Sequence, residues 1–309
     1  MAFVFTGTTT AERPARLFPT FVQSEYYGCA MRHHEQTVYQ KSRAGFATPT
    51  PPGFFAAEAA GLRWLAAAVD GPRVVKVYDE GRDHIDLEFL QSMHPVAEAA
   101  TEFGRRLAHL HNAGASAWGA LPPGLNADGD NPAEDHGYFG PLDNALPMLG
   151  GHWLDWASFY SEARLVPIYR QGLSRGVFDP SDAVLFDGVR RRLPELAGAS
   201  LEEAPSRLHG DLWSGNLMWT YNEDHLCEAV LIDPAAHGGH RETDLAMLAL
   251  FSTPYLSEIM AGYRSVQELS PGWEGRVKLH QLYPVAVHAV LFGGGYIGQT
   301  RAILRHYLD

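Results

Sequence analysis

Cysteine is nearly missing: the 309 residues hold two, Cys29 and Cys227, far apart and in unlike contexts. Two such residues build neither a disulfide framework nor a zinc-binding spacing, and they suit a reducing compartment. Lysine is almost as scarce, with Lys41, Lys76 and Lys278 the whole supply. Acidic residues outweigh basic ones, 36 to 24, for a net charge of −12. That balance excludes the basic stripe of a nucleic-acid binder and disfavours docking on an anionic membrane. No stretch reaches the roughly 18 uninterrupted apolar residues of a membrane span. The longest apolar segment, 284–298, is broken by His288 and by glycines. The opening MAFVFTGTTTAERP has no basic run and too short an apolar run for a secretory signal. The expectation is a soluble cytoplasmic protein. A G-x-x-x-x-G-K-[ST] string is also missing, which excludes a P-loop nucleotide site, and so is G-x-G-x-x-G. No internal repeat of 20–50 residues is visible.

What is present is enough apolar residue, 46%, to build a core, with 19% charged residues. The length suggests two domains or lobes. In the first ninety residues TVYQK (37–41) alternates like a strand, and FFAAEAAGLRWLAAAV (54–69) repeats apolar residues at helical spacing. RVVKVYDEG (73–81) and HIDLEFL (84–90) read as two more strands. Helical patterns then dominate: 96–114, 152–173, 181–197 and most of 242–309. Residues 115–152 are rich in Gly, Pro, Asn and Asp and read as a long functional loop or insertion. This order predicts an α+β fold with two lobes, a strand-rich N-lobe over 1–91 and a larger helical C-lobe over 92–309.

The chemistry concentrates in LHGDLWSGNLMW (208–219) and EAVLIDPA (228–235). Asp211 and Asn216 stand five apart, and Asp233 ends an apolar run about twenty residues on. Phosphoryl transfer needs a carboxylate that orients the attacking hydroxyl and takes its proton. It also needs oxygen ligands for Mg²⁺ on the phosphates. Asp211 is therefore expected to be the base, with Asn216 and Asp233 as metal ligands and ATP as the phosphoryl donor. A cation for the phosphates is expected at Lys41, which ends a strand. Its partner is expected at Glu58 on the following helix; Lys76, after that helix, comes in the wrong order. Backbone groups of Glu88, Phe89 and Leu90 fall where adenine would be held. The segment YYGCAMRHHEQ (26–36) has two readings, which both stand. It is either a loop in which Gly28 approaches the phosphates with Cys29 beside the nucleotide, or an ordinary hairpin.

HGDLWSGN followed by DPAAHGGHRETDLAM resembles the fructosamine kinase, or ketosamine kinase, family. Supporting matches are YQK with FFAAEAAGLRWL, FGRRLAHLH, WASFYSEARLVP and LYPVAVHAVLFGGGY. The resemblance implies a protein-kinase-like fold close to aminoglycoside phosphotransferases. It implies ATP-dependent phosphorylation of a sugar hydroxyl, typically the 3-hydroxyl, on ketoamine adducts of amines or protein lysines, a deglycation repair. It also implies that Trp213 can face the sugar, against a plain packing role. It implies that His240, Glu242 and Asp244 brace the catalytic loop. The stretches 112–136 and 137–147 depart from the family pattern where the nucleotide lid and acceptor would lie. Other acceptors (an aminoglycoside, an amino alcohol, a free sugar) therefore stay open, as does a nucleotide-binding pseudokinase. A zinc hydrolase built on His237, His240 and Asp244 is the rival from another class. Ser214 lies in LWSGN, which is not the G-x-S-x-G of a serine hydrolase.

Overall fold

GCAMRH and QTVYQKS pair as antiparallel strands β1 (Gly28–His33) and β2 (Gln36–Ser42), in register from Gly28↔Lys41 to His33↔Gln36. The computed structural model describes residues 28–33, 36–43, 50–125 and 136–309. Helix α1 (Phe54–Ala66) buries Phe55, Ala59, Leu62 and Leu65, the apolar stripe its spacing predicts, and Glu58 lies on the same buried side. Strands β3 (Arg73–Val74), β4 (Val77–Glu80) and β5 (His84–Glu88) follow. The four-stranded sheet has the order β1-β2-β5-β4, all antiparallel, while β3 stays outside it.

Helix α2 (Ala97–Asn112) turns Phe103, Leu107, Leu110 and His111 inward. Residues 115–152, expected as a loop, instead contain a hairpin, β6 (His136–Phe139) and β7 (Leu146–Leu149). Strands of four residues interleaved with glycine and proline carry too short a period to stand out from turn sequence. The aromatic helix expected over 152–173 begins at Trp156. It runs as α3 (Trp156–Phe159), a π-helical stretch (Tyr160–Leu165) and α4 (Val166–Ser174), and α5 (Ala183–Ala197) comes next.

Strand β8 (Ser206–Leu208) leads into the 209–216 loop. Strands β9 (Leu217–Tyr221) and β10 (Cys227–Leu231) form the hairpin before Asp233, and β3 adds to β10 in parallel. Strand β11 (His237–Gly239) pairs back on β8. The chain closes with α6 (Arg241–Leu250), α7 (Leu256–Arg264), α8 (Trp273–Phe292) and α9 (Gly295–His306). Among the described residues no helix is long and apolar enough to cross a membrane.

Two cores result. One joins α1, α2 and α7 beneath the sheet through Phe55, Leu62, Ile85, Leu107 and Tyr263. The other fills the helical part through Trp156, Phe186, Leu279, Val287 and Leu304. α2 and α7 cross at Gly104 and Gly262. A Cβ on Gly104 would lie 1.9 Å from the Ile259 carbonyl oxygen, so the crossing requires glycine.

Candidate active site

Leu208 and the buried β8–β11 pairing bring His209, Gly210 and Asp211 to the mouth of a cleft. Gly210 has φ 83, and a Cβ there would meet the Ala235 carbonyl oxygen at 2.0 Å, so this turn admits only glycine. The loop is then held from behind. Asp244, buried on α6, accepts from the backbone amides of His209 at 2.8 Å and Gly210 at 2.9 Å. His111 Nε2 of α2 lies 3.2 Å from the same carboxylate. Burial opposes the Asp244 charge, yet His111 and the Gly210 amide among its partners hold its carboxyl below the ordinary range. His209 is a second tie. Its Nδ1 accepts from the Asp211 amide at 3.3 Å, which leaves Nε2 to donate to the Ile232 carbonyl at 2.9 Å.

On the open side the predicted residues converge. Asn216 Nδ2 donates to Asp211 Oδ2 at 3.0 Å and to the Asp211 carbonyl at 2.8 Å, and lies 3.4 Å from the Asp233 carbonyl. Asp233 sits in the left-handed region at φ 54, a conformation that Asp tolerates at a turn. Lys41 Nζ reaches Glu58 Oε1 at 2.8 Å and Asp233 Oδ1 at 2.6 Å, a contact spanning 192 residues. Burial pulls the Lys41 ammonium down, but Asp233 and Glu58 outweigh it and hold it above its ordinary value. Burial raises the Glu58 carboxyl despite Lys41. Lys76, the competing lysine, is exposed. Lys41, Glu58, Asp211 and Asp233 line one cavity with Phe54, Tyr138 and other apolar groups.

Asp211 is pushed up to about 7, first by burial and then by the neighbouring Asp233 and Asp244 charges, against the Asn216 hydrogen bond. Its Oδ1 is buried with no hydrogen-bond partner among the described residues, and so is Asn216 Oδ1. The orphaned Asn216 Oδ1 beside the Asp233 carboxylate makes an all-oxygen donor set, the kind that a hard cation such as Mg²⁺ takes. The residues present thus fit the metal.

The other expected positions are spread along the sheet. Gly28 lies on β1 opposite Lys41, and residues 26–27 and 34–35 of that segment lie outside the described residues. The Glu88 carboxylate is held by Arg73 at 2.5 Å and its amide donates to the Lys76 carbonyl at 2.9 Å. Phe89 and Leu90 follow in irregular backbone beyond the strand. Trp213 is half-buried and meets Phe251 edge-on at 5.8 Å.

The bracing run is divided in labour. Asp244 holds the loop, whereas Glu242 pairs with the buried Arg276 at 2.6 and 2.9 Å. Burial opposes this charge too, but His280 and Arg276 bring the Glu242 carboxyl down to about 2. The zinc reading fails at this point. His237 Nδ1 bonds the Ala235 carbonyl at 2.8 Å, and Asp244 is taken by loop amides. His240, Glu242 and His280 do cluster, with ligand atoms within 4.8 Å of one another. However, His240 Nδ1 caps α6 by accepting from the Glu242 amide. The ring proton therefore sits on Nε2, the atom a metal would need. Sequence reasoning missed His111 and Arg276. His111 had a signal: a polar residue inside the apolar stripe 103, 107, 110 of α2.

Comparison with known proteins gives the chain's relatives. The family model described as fructosamine kinase matches residues 146–309. A protein named as a probable ketoamine kinase from Synechocystis is 33% identical over 266 residues, covering 82% of this chain and 78% of its own. A crystal structure from Thermobifida fusca, assigned there as a fructosamine-3-kinase, is 37% identical. It superimposes with a TM-score of 0.77 over 91% of this chain and 92% of its own. An ADP-bound aminoglycoside phosphotransferase, 10% identical, shares the fold alone at a TM-score of 0.54, over 91% and 93% of the two chains. With half the chain under one family model and a related sequence aligned along four-fifths of it, the chain belongs to the fructosamine kinase family.

Proposed function

We propose that this protein is an ATP-dependent kinase that phosphorylates a sugar hydroxyl, the 3-hydroxyl, of ketoamine adducts such as fructosamines and ribulosamines. Its role would be deglycation repair in the cytoplasm. One observation carries the reading: Lys41 bridges Glu58 and Asp233 beside an Asp211 that Asn216 ties to the same loop. That is the charge arrangement phosphoryl transfer needs. The nucleotide would lie between residues 1–91 and 92–309, with adenine against the backbone of Glu88–Leu90 and Gly28 over the phosphates.

Asp211 acts as the base in this reading. Its unpartnered Oδ1 accepts the hydrogen of the sugar hydroxyl and takes the proton as the oxygen attacks the γ-phosphorus. The O–P bond to the sugar forms, the bond to the ADP oxygen breaks, and ADP leaves. Lys41 presents its ammonium to the phosphates, oriented by Glu58. Asn216 Oδ1 and the Asp233 carboxylate would hold Mg²⁺, which when bound neutralises charge on the phosphate oxygens. Trp213 gives the sugar an apolar face to stack on.

The test is ADP release measured with fructosyl- and ribulosyl-amines, with aminoglycosides and amino alcohols alongside. Release with the first pair is the expected result. Release with only the second pair would keep the kinase and remove the ketoamine acceptor.

A further inference from the structure

Helix α1, which carries Glu58, starts without a side-chain cap, since Gly53 stands at its N-cap at φ 73. The strand that carries Lys41 ends at Ser42. A third element ties the two together. Arg43, almost fully buried, donates from Nη1 to the Leu142 carbonyl at 2.7 Å. Tyr138 Oη donates to the Pro52 carbonyl at 2.6 Å, and its ring lies 5.4 Å from that of Phe54. Arg43 and Pro52 stand at either side of the connection from β2 to α1, and both are bonded to the β6–β7 hairpin.

The hairpin is itself anchored at both ends. Phe139, Leu146 and Met148 are buried in the core of the helical part, with Phe139 edge-on to Tyr283 at 6.0 Å. Leu142, in the turn, is buried in the core beneath the sheet. A hairpin rooted in both cores thus holds the strand end that follows Lys41 and the start of the helix that carries Glu58. An ion pair of 2.8 Å tolerates little drift between its two backbones. Were Glu58 to withdraw, Lys41 would be left on Asp233 alone, in competition with a cation there.

We propose that the hairpin 136–149 is a clamp that sets the Lys41–Glu58 pair, with Tyr138 and Arg43 as positioning residues for phosphoryl transfer. This rests on the reading of Lys41 as the phosphate cation. Arg43 does not line the cleft; the Tyr138 ring does, but its hydroxyl is spent on Pro52, so the Arg43 guanidinium and the Tyr138 hydroxyl act through β2 and α1.

The test is steady-state kinetics with ATP and a fructosyl-amine acceptor. Tyr138→Phe keeps the ring and removes the tie. It is expected to raise KM for ATP, so that kcat/KM for ATP falls about fivefold, the effect of one net hydrogen bond, with the acceptor KM unchanged. Arg43→Ala is expected to lose at least as much, and Arg43→Lys to recover part of it. In a Glu58→Gln background, where the pair is already broken, Tyr138→Phe is expected to add nothing. Equal losses in both backgrounds would overturn the clamp. So would a fall in kcat with both KM values unchanged, the mark of a partly unfolded sample. Lys41→Met separates the two levels. If it retains turnover, the reading of Lys41 fails and the clamp with it. If it is inactive while the Tyr138 and Arg43 variants behave as wild type, the clamp alone is wrong.

Discussion

Asp211 meets two demands that pull against each other. It must ionise to accept a proton, yet burial and two neighbouring carboxylates favour its neutral form. The proposed base therefore titrates near neutrality. Only its ionised form accepts a proton, so kcat/KM is expected to fall as pH drops through about 7, the value to which its surroundings push Asp211. Cation binding at Asn216 and Asp233 adds positive charge, so the acid limb of kcat should lie below that of kcat/KM. Asp211→Asn should lose the limb and about 10² or more in turnover, the share of general base catalysis, while calorimetry still shows ATP binding. Near-normal turnover in that variant would remove Asp211 from the chemistry. A stability effect follows with a definite sign. The folded value lies above the ordinary 3.8 of an aspartate, so folding takes up a proton in that window. Asp211 then lowers stability as pH rises from about 4 towards 7, and the substitution should flatten that slope in urea titrations.

Among the elements, α6 is the one that fixes the catalytic loop, because Asp244 answers two buried amides at once. Asp244→Ala would leave both unpaired at about 1–3 kcal/mol each, whereas Asp244→Asn keeps one acceptor and should lose less. Urea unfolding of the two variants checks the order. Equal losses would mean that the carboxylate's two oxygens do not act separately. Elements whose pattern is local were legible in sequence. The H-x-D-x-x-x-x-N string is one, since eight consecutive residues carry its geometry. Helix α1 is another, with its stripe at 55, 59, 62 and 65. Lys41 and Glu58 were found by their order along the chain. The Lys41–Asp233 contact, the parallel pairing of β3 with β10 and the β6–β7 hairpin were not legible. The first two join segments far apart in the chain, which no local pattern identifies, and the hairpin, though local, is built from strands of four residues each, too short to show a period. His240 carried the rival metal reading. Its HGGH spacing suggests a metal ligand, and only the cap on α6 reveals that its proton is on the wrong nitrogen.

At the scale of the whole molecule the two cores share members. α6 sends Leu245 and Leu248 into one and Met247 into the other, and the β6–β7 hairpin divides in the same way. Neither core can melt without disturbing an element that the other holds, so heat should unfold the described parts in one transition. The residues flanking the proposed nucleotide site belong to both cores, Phe55, Leu212, Leu217 and Leu231 to one and Ala235 to the other. Mg·ATP binding should therefore stabilise the molecule as a unit. At a hundredfold excess over Kd the gain is about 2.7 kcal/mol, which moves the whole melting curve by several degrees. The same shift is expected in Asp211→Asn, which keeps the metal and phosphate contacts. It should shrink sharply in Asp233→Ala, which removes the metal carboxylate and the second partner of Lys41. Two transitions, of which the nucleotide moves only one, would show that the shared residues do not couple the cores. An undiminished shift in Asp233→Ala would take Asp233 out of the metal site while leaving the base assignment at Asp211 intact.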